Sequence, residues 1–296
     1  MISEIHANWE AFFEVYKSIT RNKQIKDIIC LGDIVGYGPE PNQVIRGLRQ
    51  MEQRGYTIRY NLGSHDAAAL GMFVYISLSN EDDIMRVRRE AGLKSEEEII
   101  RAYQDVDNRV YVPVRPDAKE AMDWTLAALT PQSRSFLRSR LHTRIEIKPG
   151  VVCVHGSIRD PIFEYVRDAG CALRCFESEQ MADESVCFVG HTHFPVIWRA
   201  PRDARQSYAG TVVLVTEPQS LFDEHHQMDL AKCRYIVNVG AVGQPRDGDP
   251  RACYVIYDSD DDTLQYLRLE YDFEKTQRKI LEAGLPEQLA DRLSAQ

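Results

Sequence analysis

Five short polar motifs occur in a fixed order along the chain, and they contain five of its eight histidines. The motifs are Glu4-Ile5-His6, Gly32-Asp33, Gly63-Ser64-His65-Asp66, His155-Gly156 and Gly190-His191-Thr192-His193. Carboxylate oxygens and imidazole nitrogens together suit Mn, Fe, Zn or Co better than Ca. Two such ions about 3.5–4 Å apart can clamp a phosphate and activate a water for in-line attack. If the motifs meet in the fold, they predict a two-metal site for phosphoester chemistry.

A single motif of this kind is weak evidence. A lone histidine at a strand end is usually a hydrogen-bonded surface or core residue, and a Gly-Asp pair is an ordinary turn. His191 and His193 are more informative, because alternate residues of an extended segment can face one site. The prediction of a site therefore depends on all five motifs occurring together and in this order.

Short apolar runs precede three of the motifs. Residues 28–31, 151–154 and 186–189 come directly before Gly32-Asp33, His155 and Gly190-His191. Such runs are typical of strands that are covered on both faces. In layered α/β folds, ligands bind just beyond the carboxyl ends of such strands. We therefore expect residues that are far apart in the sequence to lie at one rim of a sheet.

The wider pattern predicts an α/β (α+β) fold, a four-layer αββα sandwich of two mixed β-sheets flanked by helices. Asn8 can cap a first helix, and Pro39 and Pro41 mark the start of a second one. Closely spaced strands are expected around 144–147, 151–155, 186–190, 194–199, 211–215, 235–239, 252–258 and 263–270. A pair of helices broken between Gly284 and Pro286 is expected from about residue 273 onwards.

The motifs and their flanks resemble the calcineurin-like metallophosphoesterase superfamily, in particular its small bacterial and archaeal single-domain phosphoesterases. The family pattern is Asp-x-His, Gly-Asp, Gly-Asn-His-Asp, His followed by Gly or Ala, and Gly-His-x-His. The resemblance covers about residues 1–71, 120–200 and 234–272. It includes the flanking segments 33–39, 156–161 and 238–248.

The resemblance implies a role for each motif residue. Glu4, His6, Asp33 and His193 would hold the first metal ion. Asp33 would bridge to a second ion bound by Ser64, His155 and His191. His65 would be a catalytic histidine that is not a ligand and that assists the leaving oxygen. The expected metal is Mn²⁺, with Fe, Zn, Ni and Co as alternatives, and the expected activity is hydrolysis of phosphomonoesters or phosphodiesters.

Two motif residues depart from the family pattern. Glu4 stands where the pattern has Asp, and its carboxylate is longer by one methylene. Ser64 stands where the pattern has Asn, and a short neutral hydroxyl is a poorer ligand than an amide oxygen. The first strand is also short, since only three residues precede the first motif. These features predict a reduced activity. They also leave open a second function, that of a catalytically weakened scaffold or protein-interaction member of the same fold.

Further residues and segments are candidates for substrate binding. Arg246 could clamp a phosphate, with a salt bridge to Asp247 or Asp249 as the alternative. Tyr37 and Arg159 follow motif residues and could line the pocket. Residues 1–272 are expected to form the phosphoesterase domain, with insertions at about 72–118 and 201–233, and residues 273–296 to form a helical segment packed on it. The first insertion is either a lid or else a surface elaboration or oligomer contact. His225 and His226 in the second insertion are expected to face solvent.

Composition limits the partners and the compartment. The net charge is −9, which disfavours nucleic acid as a stable partner. The cluster of Arg86, Arg88 and Arg89 is more typical of a solvated helix face than of a phosphate site. The chain has no apolar stretch of about 20 residues that could span a membrane, and its seven scattered cysteines are typical of core thiols in a reducing cytoplasm. The expected partner is a small phosphorylated substrate, and a homo-oligomer is compatible with the sequence.

Overall fold

The computed structural model of the protein describes residues 1–77, 110–202, 213–216, 222 and 225–294. Within these residues, fourteen strands form the sheets and eight α-helices flank them. The helices are α1 (Trp9–Arg21), α2 (Pro41–Gln53), α3 (Ser64–Ala69), α4 (Pro116–Ala128), α5 (Pro131–Arg140), α6 (Ala169–Phe176), α7 (Phe273–Glu282) and α8 (Glu287–Asp291). The helix starts follow from the sequence: the Asn8 side chain accepts a hydrogen bond from the Ala11 N–H, and Pro41 is the first residue of α2.

The strands of the first half are mostly parallel. They are β1 (Asp27–Cys30), β2 (Thr57–Asn61), β3 (Phe73–Ser77), β4 (Val110–Val114), β5 (Leu141–His142), β6 (Ile145–Lys148) and β7 (Val151–Cys153). Strands β1, β2 and β5 form one sheet in that order, and β3 pairs with β4 in a separate parallel ribbon. This ribbon packs against α3 and α4.

The strands of the second half complete two larger layers. They are β8 (Val186–Val189), β9 (Val196–Pro201), β10 (Val213–Thr216), β11 (His226–Gln227), β12 (Cys233–Asn238), β13 (Ala252–Asp258) and β14 (Thr263–Leu269). A mixed six-stranded sheet has the order β10-β9-β12-β8-β7-β6, and its central strands β12, β8 and β7 are parallel. Strands β11, β14 and β13 pair antiparallel in that order and form a three-stranded sheet.

The first two residues of the chain join two of these sheets into one layer. The Val255 N–H in β13 donates to the Met1 carbonyl, and Ile2 exchanges backbone hydrogen bonds with Ile29 and Leu31 beside β1. Ile2 forms a single parallel bridge with Cys30. The short first strand expected from the sequence is therefore one bridging residue, and the layer runs β11-β14-β13-Ile2-β1-β2-β5.

Three apolar cores separate four layers. One lies between the first sheet and helices α1 and α2, with Phe12 and Leu48 in its interior. A second, which includes Phe188 and Tyr266, lies between the two sheets. A third packs α6 against the outer face of the six-stranded sheet through Phe176. Burial of these side chains is the main stabilising contribution to the fold, and the αββα sandwich predicted from the sequence is confirmed.

Most predicted elements are present with shifted ends. The strand expected at 194–199 runs from Val196 to Pro201, and the break at Gly284 to Pro286 separates α7 from α8. The parallel strands β3 and β4 inside the first insertion were not predicted. The helix-prone stretch 81–107 with Arg86, Arg88 and Arg89, and most of the second insertion, lie outside the described residues. No helix in the described part has the length and apolar character needed to cross a membrane.

Candidate metal centre

The five motifs meet where parallel strands of both sheets end. Asp33 follows β1, Ser64 and His65 follow β2, and His155 and His191 follow the neighbouring strands β7 and β8. Glu4 and His6 follow the Ile2 bridge. The predicted rim is thus assembled from the carboxyl ends of strands in two facing sheets, because those ends point in one direction.

The backbone around the site is strained. Eight non-glycine residues of the described chain have positive φ, and seven of them lie in or beside the motifs. They are Glu4 (53°), His6 (46°), Ala7 (52°), Asp33 (51°), Tyr37 (58°), His191 (63°) and His193 (65°). Side-chain-bearing residues adopt this region at a cost of about 1–3 kcal/mol each, and such residues cluster at functional sites. The strained positions of the described chain therefore coincide with the motifs.

A first cluster of donor atoms consists of Glu4, His6 and His193. Glu4 Oε2 lies 3.1 Å from His6 Nε2 and 3.1 Å from His193 Nε2. The two histidine nitrogens are 3.3 Å apart. The other oxygen of Glu4 accepts hydrogen bonds from the Ser3 hydroxyl at 2.8 Å and from the His191 backbone N–H at 2.7 Å. All three side chains of the cluster are buried.

A second cluster consists of Asp33, His155 and His191. His155 Nε2 is 3.0 Å from His191 Nδ1 and 3.5 Å from Asp33 Oδ2. The same Asp33 oxygen is 3.8 Å from His6 Nε2 in the first cluster. Its partner oxygen accepts a 2.8 Å hydrogen bond from the His65 backbone N–H. One carboxylate oxygen of Asp33 therefore lies between the two clusters.

Backbone carbonyls fix the orientation of all four cluster imidazoles. His6, His155 and His193 place Nδ1 against the carbonyls of Val35 (3.2 Å), Leu31 (2.9 Å) and Gln244 (2.6 Å). His191 places Nε2 3.2 Å from the Phe163 carbonyl. A carbonyl can only accept, so each of these nitrogens carries the N–H, and the other ring nitrogen presents a lone pair inward when the ring is neutral. Metal-binding histidines are held in this manner.

The charges of the site favour neutral imidazoles. Burial lowers the pKa of His6, His155 and His191, and burial together with the nearby Arg246 lowers the pKa of His193 to about 3. Burial and the carboxylates of Glu4 and Asp66 raise the pKa of Asp33 well above its usual value. Burial also opposes ionisation of Glu4, but the imidazoles of His155 and His193 hold its pKa well below the usual value.

The donor geometry fits first-row divalent cations. Nitrogen and oxygen ligands bind such ions at about 2.0–2.2 Å, so ligands that share an ion lie about 3–3.4 Å apart. The closest donor pairs in both clusters, at 3.0–3.3 Å, fall in this range. Four converging imidazole lone pairs and two carboxylates repel one another, and cations bound between them would turn this repulsion into attraction. The residues therefore fit a metal in each cluster.

The remaining residues of the third motif surround Asp33. The Ser64 hydroxyl lies 3.4 Å from Asp33 Oδ2. Asp66 is not turned toward the clusters, because its carboxylate accepts hydrogen bonds from the backbone of Ile34 and Val35. The His65 ring packs against both His6 and Tyr37, with centroids 5.0 and 4.4 Å away. A His65 nitrogen lies within 4.8 Å of donor atoms of His6 and Asp33, so distance alone permits it to be a ligand.

Of the three predicted substrate contacts, two lie at the site. Tyr37 packs against His6 at 4.6 Å, and Arg246 lies over the Tyr37 ring at 5.9 Å. The alternative of a salt bridge from Arg246 is wrong within the described structure, since Asp247 pairs with Arg268 and Asp249 with Arg251. Arg246 instead donates to Gln244 at 2.9 Å.

The third predicted contact has another partner. Arg159 pairs with Glu164 at 3.1 Å, and the structure records no contact between Arg159 and either cluster. The histidines of the second insertion also lie apart from the clusters. His225 is exposed as expected, whereas His226 is half-buried in β11 beside Tyr266.

Two tyrosines at the site were missed by the sequence reasoning. Tyr165 stacks on His191 with centroids 3.9 Å apart, and it is 39% exposed. Tyr75 in β3 meets His65 edge-on at 5.3 Å and is buried. Neither residue lies in a polar motif, and no local pattern marks them. Their proximity depends on the paths of the 156–168 loop and of the first insertion.

Comparison with known proteins gives a consistent result. A family model described as calcineurin-like phosphoesterase matches residues 1–195. An uncharacterized protein of Methanocaldococcus jannaschii is 29% identical over 297 residues, which cover 99% of this chain and 96% of that protein.

Two solved structures extend the comparison over nearly the whole chain. A metallophosphoesterase from Sphaerobacter thermophilus is 34% identical, with a TM-score of 0.69 over 99% of this chain and 97% of that one. A hypothetical protein from Pyrococcus horikoshii shares the fold at 16% identity, with a TM-score of 0.67 over 99% of this chain and 96% of that one. Motifs, fold and matches together show that the chain belongs to the calcineurin-like phosphoesterase family of metal-dependent phosphoesterases.

Proposed function

We propose that the protein hydrolyses phosphate esters with two divalent metal ions bound side by side. One ion is held by Glu4, His6 and His193, and the other by His155, His191 and Ser64, with Asp33 shared between them. The observation that supports this most strongly is the orientation of the four imidazoles, each anchored through one nitrogen to a backbone carbonyl. Their other nitrogens then face the two clusters.

Metal ions in such a pair polarise the phosphoryl oxygens and supply a hydroxide as nucleophile. The chain contributes orientation and charge around them. Arg246 holds a phosphate oxygen, since its guanidinium is used by neither Asp247 nor Asp249. The Arg246 guanidinium lies over the ring of Tyr37, and this ring also packs against both His6 and His65. Arg159 is a weaker candidate for substrate binding, because its guanidinium already pairs with Glu164.

His65 is proposed to protonate the leaving oxygen. Its backbone N–H is tied to Asp33, and its ring is enclosed by Tyr37, His6 and Tyr75. Its Nδ1 has no hydrogen-bond partner within the described residues. The ring is thus held by packing, and its Nδ1 remains available for proton transfer.

The proposed substrate is a small phosphomonoester or phosphodiester in the cytoplasm, and the proposed metal is Mn²⁺. The proposed contacts serve the metals, the phosphate and the leaving oxygen. A homo-oligomer is compatible with this proposal, which needs neither a membrane nor a nucleic acid.

A metal-dependence assay tests the proposal. Metal-free protein is mixed with Mn²⁺ and either p-nitrophenyl phosphate or bis-p-nitrophenyl phosphate. We expect Mn²⁺-dependent hydrolysis that Asp33→Asn abolishes, because one carboxylate serves both ions. Asp262→Asn is a matched control, since Asp262 lies in the turn between β13 and β14 and pairs there with Lys148 of β6.

Wild-type turnover by Asp33→Asn would contradict the two-metal arrangement. A wild-type protein that binds metal but hydrolyses neither ester would instead favour the alternative function, a scaffold or protein-interaction member of the family.

A further inference from the structure

A stack of three side chains extends outward from the second metal cluster. The Tyr165 ring lies on the His191 imidazole, with centroids 3.9 Å apart and an angle of 15° between the ring planes. The Arg167 guanidinium lies over the Tyr165 ring, 5.5 Å from its centroid. His191 is buried, whereas Tyr165 is 39% exposed and Arg167 is exposed. The stack therefore leads from a buried imidazole of the site to a cation at the surface.

The chain on both sides of Tyr165 is fixed. Two residues earlier, the Phe163 carbonyl lies 3.2 Å from His191 Nε2. One residue later, Val166 is buried in the core that packs α6 against the six-stranded sheet. Asp168 then caps α6 through its side chain. The positions of the Tyr165 ring and of the following arginine are thus set by contacts with the site and with the core.

The charge of Arg167 is not matched by an ion pair within the part of the chain that the structure describes. The two acidic residues closest to it in the sequence have other partners. Glu164 pairs with Arg159 at 3.1 Å, and the Asp168 carboxylate accepts a hydrogen bond from the Cys171 N–H at 2.8 Å. A guanidinium binds phosphate or carboxylate oxygens through paired hydrogen bonds. Arg167 is therefore a free anion-binding group beside the site.

A similar stack at the first cluster has its guanidinium at a different depth. Tyr37 packs against His6 at 4.6 Å, and Arg246 lies over the Tyr37 ring at 5.9 Å. Arg246 is half-buried, and its charge contributes to the lowered pKa of His193. It is thus close enough to the clusters to meet a phosphate held by the metals. Arg167 is at the exposed end of its stack, so an anion that it binds lies farther out.

We propose that Arg167 is a specificity-determining residue that binds a second anionic group of the substrate, outside the reacting phosphate, and that Tyr165 positions it. The substrate is then a phosphate ester whose remaining part carries a further phosphate or carboxylate. The net charge of the chain is −9, so a substrate with several negative charges needs local cations of this kind. This inference rests on the proposed function, because the metals must hold the first phosphate.

The test compares three phosphonates that cannot be hydrolysed at phosphorus. Each has three methylenes after the phosphonate, and they differ only at the far end. Butylphosphonate ends in a methyl group, 4-phosphonobutyrate in a carboxylate and propane-1,3-diylbisphosphonate in a second phosphonate. Their Kd values for the Mn²⁺-loaded protein are measured by isothermal titration calorimetry. The ratio of the butylphosphonate Kd to that of each doubly charged compound then reports the contribution of the second anion.

We expect the wild type to bind at least one doubly charged compound roughly 3- to 10-fold more tightly than butylphosphonate, the size of one or two hydrogen bonds. The compound with the larger ratio distinguishes phosphate from carboxylate. Arg167→Gln should bring the ratio close to one. A wild type without this preference, or an Arg167→Gln variant that keeps it, would overturn the inference. Any binding of the compounds to free Mn²⁺ is the same for both proteins and does not affect the comparison.

Arg54→Gln is the matched control. Arg54 is also exposed and lies over a tyrosine, since its guanidinium is 5.4 Å from the Tyr16 ring. It follows α2 and precedes β2, so it lies at the edge of the sheet opposite the strand ends that carry the motifs. Arg54→Gln should keep the wild-type ratio. A ratio lowered equally by both substitutions would show a general effect of charge and would overturn the inference.

Two variants of Tyr165 test its positioning role. Tyr165→Phe keeps the ring under Arg167 and should keep the ratio, whereas Tyr165→Leu removes the ring and should lower it. A looser His191 in Tyr165→Leu would weaken all three compounds together, because each is held by the metals, and would leave the ratio unchanged. A wild-type ratio in Tyr165→Leu would therefore overturn the positioning role of Tyr165.

The two proposals fail in different ways. If Mn²⁺ does not increase the affinity of the wild type for butylphosphonate, the proposed function is wrong. If Mn²⁺ does increase it and Arg167→Gln keeps the wild-type ratio, only the role of Arg167 is wrong.

Discussion

The two carboxylate oxygens of Glu4 have different partners. Oε1 is fixed by the Ser3 hydroxyl and by the backbone of His191, whereas Oε2 faces His6 and His193. The longer arm of Glu relative to Asp thus reaches both sets of partners. The sequence predicted that Glu4 holds the first metal in a shifted position and reduces the activity. From these contacts we propose instead that the pocket is adapted to glutamate.

Glu4→Asp tests this adaptation. A side chain shorter by one methylene cannot keep both sets of contacts, so we expect weaker Mn²⁺ binding and turnover lower by about 10²-fold. Glu4→Gln, which keeps the length and removes the charge, is the matched control for shape. Tighter Mn²⁺ binding and faster turnover in Glu4→Asp would contradict this adaptation and support the reduced activity that the sequence predicted.

His65→Ala tests the division between ligand and catalyst. If His65 acts on the leaving group, metal stoichiometry stays at the wild-type value and turnover falls roughly 10²–10⁴-fold. Both quantities are measured on one preparation, by elemental analysis and by ester hydrolysis. A parallel loss of metal would place His65 among the ligands, which its distance to His6 and Asp33 permits.

At the residue scale, the sequence predicted which polar side chains come together, because each follows a strand and strand ends converge. It could not predict the groups that orient them. The carbonyls of Val35, Phe163 and Gln244 hold imidazoles, but any residue has a carbonyl, and its direction depends on the local backbone. Tyr75 and Tyr165 likewise reach the site through long-range packing.

At the element scale, the site depends on how closely the strand ends approach one another. Gly190 ends β8, and a Cβ on it would lie 2.2 Å from Ser3 Oγ and 2.8 Å from Glu4 Oε1. The absence of a side chain at position 190 therefore gives Glu4 its space. Apolar runs and glycines predicted the strands and their ends, whereas the register between the two sheets is set by nonlocal pairing that one sequence does not reveal.

Gly190→Ala is expected to displace Ser3 and Glu4 and to weaken Mn²⁺ binding roughly 5- to 150-fold, since the overlap costs about 1–3 kcal/mol and each 1.4 kcal/mol is a factor of ten. Titration of the metal-free variant measures this. Gly170→Ala is the control, because its nearest contact is a side-chain oxygen at 3.3 Å near the start of α6. Unchanged affinity in Gly190→Ala would mean that the approach of β8 to Glu4 does not shape the site.

At the scale of the whole molecule, the C-terminal helices are tied to the elements that follow the first two motifs. Lys279 in α7 pairs with Glu10 at 2.6 Å and with Glu40 at 2.7 Å, and these residues belong to α1 and the loop before α2. Leu289 and Leu293 bury their side chains against Ala121. From these contacts of residues 273–294, we propose that the C-terminal helical segment belongs to the phosphoesterase domain.

Lys279→Met leaves two partly buried carboxylates without their shared cation. We expect a loss of about 1–3 kcal/mol in the free energy of unfolding, seen as a lower Tm of the metal-free protein. Lys232→Met removes an exposed pair with Asp229 and should leave the Tm unchanged. Equal Tm values for the two variants would show that α7 is not held by this network.

The proposed function requires two metal ions side by side at the meeting point of the sheets. Anomalous diffraction from crystals of the Mn²⁺-loaded protein measures this directly. We expect two peaks about 3.5–4 Å apart, one among Glu4, His6 and His193 and the other among Asp33, His155 and His191. A single peak, or two peaks that do not share Asp33, would contradict it.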